Sequence, residues 1–523
     1  MNLKNVKKII LILSLLLIIS SCVKTKSPNL EELNVPETAD ENANIPTETI
    51  EEPVNENTES EETIVEEIEE LPAPEEIPEV IEETPEIPEQ IPQTIVTSEF
   101  TIPPLGGNTY YISTSGNNEN PGTREQPWAK PSYGVGKLQP GDTLIILGGK
   151  YVLSDFGEDI LRVGSGTANA WIAIKGEEGN RPILAGRNNL LTAIDIPDAH
   201  NVWIDNLEIT SDNGASFRDG IEGLSGNLNH VILSNLYIHH IDEFGINVAD
   251  ADDLKMINNQ IVYTGLGGVG GPEGRHGGWR NVLIKGGSLS YNGHYYQGKV
   301  GPSPFDRPDG FGIEPSDGPI EIADIMVEHN LGDGLDSKAR NTYIHDCTVA
   351  NNFADNIKLW GTGSRVENCL IYGRGNGNAM STPWSSVVID TTDDNARFEF
   401  NSNTIDSEAD QSYLFGAQYD FNAHHITLTM NNNIFSSRGN NVPMTINSNV
   451  ALTANNNVFW FPDTSNVLEY NSVRQYTSAD ISQLGSGNVY ANPLFVKTGF
   501  GAEGDYHLQS NSPAKNSGKT SLR

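Results

Sequence analysis

The segment Gly332–Trp360, GDGLDSKARNTYIHDCTVANNFADNIKLW, nearly repeats itself after 22 residues, and that self-similarity constrains the fold more than any other feature. On this ruler Asp324 falls on Asp346 and then Asn368. Ile322, Ile344 and Val366 share a column, as do Ile325, Cys347 and Cys369, and Val327, Val349 and Ile371. Apolar columns that persist while the positions between them change are how stacked coils burying one interior look. The ruler also lays Asp333 over Asp355, Asp336 over Lys358 and Lys338 over Trp360.

From about Asn201 the coils become explicit. The run VWIDNLEI (202–209) recurs as VILSNLYI (231–238), LKMINNQI (254–261), VLIKGGSL (282–289), IEIADIMV (320–327), TYIHDCTV (342–349) and SRVENCLI (364–371). It fades into FEFNSNTI (398–405), TLTMNNNIF (427–435) and LTANNNVF (452–459). The longer spacings require loops inserted between strands. Asn, Asp or Gly stands at the centre of each run, where the chain is expected to bend. Inward polar residues can satisfy one another up a column of strands about 4.8 Å apart. No stretch has a helical period.

The net charge of −38 is unevenly spread. Residues 23–100 hold 24 Glu or Asp against two Lys, a net of −22, while 101–523 carries −19. Like charges with ten prolines (EELPAPEEIPEVIEETPEIPEQIP) favour an extended, hydrated chain, so 23–105 reads as a disordered acidic stalk. An acidic body repels nucleic acid and anionic headgroups. It also disfavours polyanionic sugars, unless a bound cation or local Lys and Arg reverse the sign. Met1–Ser21 reads as an export signal, with Lys4, Lys7 and Lys8 ahead of an apolar run shorter than the ~20 residues that span a bilayer. Its end, Ile19-Ser20-Ser21-Cys22, resembles the lipobox of prokaryotic lipoproteins. That resemblance implies a lipid at Cys22 and an exported protein anchored to a membrane, at the cell surface or in the periplasm. Cys347 and Cys369 are too few for a disulfide framework and read as two small buried thiols, a bridge between adjacent coils being the alternative.

The body is expected over 106–520, as a monomer. Its opening, YYISTSGNNENPGTREQPW followed by KLQPGDTLIILGGKYV, and its ending, ANPLF with DYHLQSNSPAKNSG, resemble those of secreted right-handed parallel β-helix proteins. The resemblance implies an all-β, single-stranded right-handed parallel β-helix of the pectin-lyase-like kind, its open end capped by a short helix. Pro131, Gly134 and Gly136 make that helix a poor one, so the cap is expected to be irregular. The long insertion 263–310 is rich in Gly and aromatics and carries Arg275, His276, Tyr295, Tyr296, Lys299 and Arg307. Long loops on rigid scaffolds carry binding groups; a loop that only shields the core is the plainer reading.

One coil back, Asp309 falls under Asp333, Phe311 under Leu335 and Glu314 under Lys338. With Phe311, Leu335 and Ile357 inward, the outward columns are Gly312/Asp336/Lys358 and Glu314/Lys338/Trp360. Asp309, Asp333 and Asp355 stack at the turn before them. Acids about 4.8 Å apart repel unless neutralised. Ca²⁺ takes several carboxylate oxygens and would suit Asp309, Asp333, Asp336 and Asp355. The alternative is pairing with Lys338 and Lys358, an ionic ladder without function.

At these residues the layout of GDGLDSK (332–338) and NNFADNIKLW (351–360) resembles the calcium site of the family nine polysaccharide lyases, pectate lyases built on a β-helix. The resemblance implies an acidic polysaccharide substrate cut by cation-assisted β-elimination. Asp333 and Asp355 fall on family ligand positions, whereas Ala354 and Lys358 stand where the family has two further acids. Asp309 and Asp336 are the candidates to substitute. Elimination removes the proton beside a uronate carboxylate, and a cation or Arg on that carboxylate stabilises the developing charge. Lys358, Lys338 and Arg374 are the candidate catalytic residues. A Lys acts as base only if its neighbours lower its pKa, and Asp336 and Glu314 do the opposite unless a cation occupies the acids. Trp360 is a candidate sugar platform, with Arg307 and Tyr296 as further substrate contacts. The rival readings are hydrolysis by Asp333 paired with Asp355, epimerisation, and a glycan-binding or structural role without chemistry. His239-His240 and His424-His425 are adjacent pairs, and strand neighbours face opposite ways, so they read as coil-surface residues.

Overall fold

The computed structural model describes residues 101–214, 216–373, 385–408, 413–417, 424–439, 442–447, 449–470, 474–499 and 504–523. The leader with Cys22, the stalk up to residue 100 and Arg374 lie outside the described residues.

The repeated runs pair with one another in parallel and in register. Val202 pairs with Val231 and Val231 with Leu254; further on, Ile320 pairs with Thr342, Ile344 with Val366 and Phe398 with Leu428. Among the described residues the strands build a 25-stranded and a 13-stranded sheet. Midway along the runs the chain bends through left-handed residues: Asn206, Asn235, Asn258, Asp324, Asp346 and Asn368 have φ of 52–59°. Asn and Asp accept that conformation because their short polar side chains bond locally. The bend divides the larger sheet into two faces, and the smaller sheet supplies the third face of a parallel β-helix. At its far end Asn466–Tyr470 pairs antiparallel with Arg474–Thr477, which closes the smaller sheet's parallel stack.

Ile322, Ile344, Val366, Val327, Val349 and Ile371 are all fully buried, each contributing roughly 1.5–3 kcal/mol by leaving water. Buried amides are satisfied coil to coil. Asn403 Nδ2 donates to Asn433 Oδ1 (3.3 Å) and Asn433 Nδ2 to Asn457 Oδ1 (3.0 Å). A second ladder runs Asn292, Asn330, Asn352 at 2.7 and 2.8 Å, and Asn352 donates within its own coil to Asn356 at 3.0 Å. Cys347 and Cys369 are buried free thiols that donate to the carbonyls of His345 and Glu367. Burial pushes the Cys369 thiol well up.

Two expectations fail for instructive reasons. The cap is a true helix, α1 (Pro131–Val135), and the residues that argued against it are the ones that seat it. Pro131 occupies the first turn, where an N–H would lack a partner anyway. A Cβ on Gly134 would lie 2.8 Å from Ile112 Cδ1, so only glycine lets the helix sit on the first coil. His239 and His240 do not face opposite ways, since their Nδ1 atoms are 2.6 Å apart. His240 has φ of 55°, which ends the alternation there. Burial, then His239, hold the His240 pKa down at about 4.

Candidate functional site

The third face runs through β1 (Leu190–Asp195), β2 (Phe217–Gly223), β3 (Phe244–Val248), β4 (Gly267–Gly271), β5 (Asp309–Ile313), β6 (Leu335–Ser337) and β7 (Ile357–Leu359). Ile221, Ile246, Val269, Phe311, Leu335 and Ile357 are in register and fully or almost fully buried. The next residue of each strand faces out: Glu222, Asn247, Gly270, Gly312, Asp336, Lys358. Two residues before the inward column, at the turn, stand Asp219, Phe244, Gly267, Asp309, Asp333 and Asp355.

The turn aspartates share one backbone task. Asp219 Oδ1 accepts the N–H of Phe244 (3.1 Å), Asp309 Oδ1 that of Asp333 (2.7 Å), Asp333 Oδ1 that of Asp355 (2.9 Å) and Asp355 Oδ1 that of Ser385 (2.9 Å). The glycine after three of them is forced by packing: a Cβ on Gly310 would lie 2.7 Å from the Gly334 carbonyl oxygen. Asp-Gly is therefore first a turn signature of this face.

What differs between coils is the second carboxylate oxygen, which meets the outward residue of the following coil. Asp219 Oδ2 accepts from Asn247 Nδ2 at 3.1 Å, and Asp333 Oδ2 lies 3.5 Å from Lys358 Nζ. Above Asp309 the outward residue is Asp336, an acid on an acid. Asp309, Asp333 and Asp336 each bring a carboxylate oxygen within 4.8 Å of the others. Asp336 is only 6% exposed; its Oδ2 is 3.6 Å from Lys338, and its Oδ1 has no hydrogen-bond partner among the described residues. Asp355 stands outside this trio, with Oδ1 on Ser385 N–H and Oδ2 4.0 Å from Lys358.

The charges are strongly coupled. Burial, then Asp333 and Asp336, raise Asp309 well above the usual carboxylate range. Burial raises Asp336 to about 6 against the pull of Lys338 and Lys358. Burial, then Asp333, raise Asp355. Burial alone would lower the Lys358 and Lys338 amines, but the surrounding acids hold both above their ordinary value. Around this centre the carboxyl groups outnumber the two ammoniums; burial and crowding hold part of that excess as protons, which leaves a deficit of positive charge that a cation would fill. That deficit, the oxygen-only donors and the orphaned Asp336 Oδ1 fit one hard divalent cation.

Lys338 joins the acids to a cavity of about 330 Å³ lined by Lys338, Trp360, Arg340, Asp393, Gly274 and Gly277. Its Nζ is 3.1 Å from Glu314, and Lys358 Nζ lies 5.7 Å from the Trp360 ring centre. Trp360 follows β7 and lines this cavity, whereas Arg307 and Tyr296 precede β5 and are not among its lining residues. Arg307 is exposed and 3.5 Å from Asp306; the Tyr296 ring packs edge-on against Phe305. A larger cavity of about 520 Å³ on another face carries Tyr343, whose ring is already stacked by Arg365 and His345.

The acid column extends further than the 22-residue ruler was carried. In RDGIEG (218–223), Asp219 and Glu222 occupy the positions of Asp333 and Asp336, and the likeness to GDGLDSK was there to be read. Here the chain supplies its own cation: Arg218 lies 2.9 Å from Glu222, 3.5 Å from Asp219 and 3.7 Å from Glu243.

Fold and face together define a parallel β-helix with an acid-lined third face. The family described as Pel9A-like, right handed beta helix region matches residues 110–269, so the coil is right-handed and its first half resembles that family. The match ends before Asp309, and the acid trio lies beyond it. Among solved structures the chain is similar to an alginate lyase from Paenibacillus sp., at 16% identity over 62% of this chain and 93% of that one (TM-score 0.40). It is also similar to the pectate lyase Pel9A, at 13% identity over 78% and 91% (TM-score 0.38). A third is the mannuronan C-5 epimerase A-module of Azotobacter vinelandii, at 13% identity over 69% and 93% (TM-score 0.49). No curated protein matches the chain.

Proposed function

We propose that this protein binds an acidic, uronate-containing polysaccharide on its third face and cleaves it by cation-assisted β-elimination. The observation that carries the reading is Asp336: where the neighbouring coils set an amide or an amine over the turn aspartate, this coil sets a second acid with an oxygen left unpaired. Asp309, Asp333 and Asp336 would hold Ca²⁺, with Asp355 behind them tying the next coil. Bound there, the ion would draw electrons from a substrate carboxylate and ease loss of the neighbouring proton. Without the ion Lys338 and Lys358 keep their protons beside these acids; with the ion on the acids that hold is relaxed, and one amine would take the proton while the other receives the uronate carboxylate and the charge that develops on it. Arg374, outside the described residues, is the further candidate for the proton acceptor. Trp360, on the cavity wall beyond Lys338, takes a sugar ring, and Arg307 and Tyr296 approach from the opposite end of the strands.

A non-catalytic glycan-binding or structural role is the second reading, supported by the backbone task that every turn aspartate performs. Pairing Asp333 with Asp355 for hydrolysis has less support, since Asp355 is 1% exposed and both its oxygens are engaged. We also propose that the chain is lipidated at Cys22 and displayed as a monomer on its acidic stalk. Loss of labelled fatty acid in Cys22→Ser tests the lipidation.

The deciding experiment incubates the protein with a panel of polyuronates, with and without chelator. Elimination predicts ultraviolet absorbance from unsaturated ends only when Ca²⁺ is present. Reducing ends without that absorbance would mean hydrolysis, and binding without either would leave the second reading.

A further inference from the structure

We infer that the ring of Phe244, seated on the glycine strand β4, is a sugar platform, and that the polysaccharide lies along the helix axis from this ring to the acid trio. The inference rests on the reading that those acids act on a polysaccharide. Phe244 stands in the turn column that otherwise carries Asp219, Asp309, Asp333 and Asp355. It points outward: Ile246 is the inward residue of β3, and Phe244 is only half-buried. Beneath it, β4 reads GGVGG, and its one side chain, Val269, belongs to the interior. A Cβ on Gly270 would lie 2.6 Å from Phe244 Cε1, and one on Gly267 would lie 2.8 Å from it. The ring therefore rests on naked backbone, and any other residue at either position would lift it. The outward residue of β5 is again glycine, Gly312, where a Cβ would lie 2.9 Å from Asp309 Oδ2, so the first acid of the trio lies on a glycine just as the Phe244 ring lies on β4.

Both ends of β4 are edged by fastened loops. At the turn end, Gln297 N–H donates to Asp242 Oδ1 (2.8 Å) and Ser303 Oγ to the Gly265 carbonyl (2.6 Å). At the other end, the Asp250 carboxylate accepts the N–H groups of Arg275, His276 and Gly278 at 2.7–2.9 Å. An uncharged aromatic face between two acidic stretches suits the apolar C–H face of a pyranose rather than its hydroxyls or carboxylate. The Phe244 backbone lies three coils from Asp333, about 14 Å, and its ring, seated on β4, lies two coils away, about 10 Å. The platform would thus hold a sugar roughly two residues from the bond acted on.

The test compares the wild-type protein with Phe244→Ala, Phe244→Leu and Phe244→Trp, using polyuronate and oligouronates of increasing length, with melting curves to establish folding. Phe244→Ala is expected to weaken Kd or KM for the polymer about tenfold. It should leave kcat within about twofold and binding of oligomers too short to span ~10 Å unchanged. Phe244→Trp should retain the long-chain affinity. Phe244→Leu keeps the apolar volume without the flat face and should behave as Phe244→Ala, which covers failure of the alanine variant to fold. Long-chain binding unchanged in folded Phe244→Leu, or short and long oligomers weakened alike, would overturn the platform alone. A wild-type protein that binds no polyuronate would overturn the reading of the acid cluster as well.

Discussion

Replacing Asp336 by Asn is expected to stabilise the chelated protein and to abolish its response to Ca²⁺. The side chain keeps its shape and loses its charge. At an effective dielectric of 20, two acid–acid contacts within 4.8 Å cost at least about 3.5 kcal/mol each, while the ion pair with Lys338 at 3.6 Å returns about 4.6 kcal/mol. These contacts leave a cost of about 2 kcal/mol in the ionised, cation-free protein, to which burial adds and from which Lys358 subtracts. The raised pKa points the same way: a carboxyl lifted from about 3.9 to about 6 costs about 3 kcal/mol once ionised. Because the folded pKa is the higher one, the native state holds the extra proton between pH 4 and 6, and stability falls as pH rises through that window. The cost is complete above pH 6 and absent below pH 4. Over a body of roughly 400 residues it corresponds to about 3 °C in Tm. Melting at a fixed scan rate in chelator should therefore place Asp336→Asn about 3 °C above wild type at pH 7.5, and level with it at pH 4. With Ca²⁺ at a hundredfold excess over Kd the wild type should gain about 2.7 kcal/mol and the variant little. A variant less stable than wild type in chelator, or one that gains as much from Ca²⁺, would refute the account of Asp336 as a ligand held without a partner.

Lys358→Met removes the amine shared by Asp333 and Asp355 and should destabilise the chelated protein by about 3 kcal/mol, as unpaired buried acids do. Added Ca²⁺ should recover part of that loss, which denaturant titration in both conditions would measure. Glu222 is pushed up to about 7 by burial and by Asp219, so its ionised form costs stability above pH 7 and nothing below pH 4. After discounting for partial exposure, Glu222→Gln should gain about 1 kcal/mol at pH 8 and nothing at pH 4. A loss at pH 8 would mean that the 2.9 Å pair with Arg218 outweighs the burial.

The inward columns were legible because burial selects for them coil after coil: Ile322, Ile344 and Val366 need only be apolar to reveal their alignment, and their registers follow. The outward set Gly312, Asp336, Lys358 was legible for the same reason, being one residue past a visible inward column. The turn was harder to read, because alternation breaks there. Gly310 and Phe311 both face inward, which turns Asp309 out instead of burying it beside Phe311. A strict period of two would have sealed every turn aspartate in the core. The backbone task of these acids was hidden too, since a carboxylate reaching the next coil's N–H shows itself only once the coils are stacked.

The comparison of two coils decides what the acids imply. The repeat sets the same carboxylate pair at Asp219 with Glu222 and at Asp333 with Asp336, and both face the same cost of crowding negative charge into a half-buried groove. At the first, Arg218 and the Asn247 amide meet that cost from within the chain. At the second, Asp309 adds a third acid, Lys338 and Lys358 are shared among several carboxylates, and one oxygen of Asp336 stays unpaired. Both coils carry more acids than cations, Glu243 being the third acid at the first, so the excess alone implies no ion; the unpaired oxygen of Asp336 sets the second coil apart, and the proposal of a bound cation rests on it.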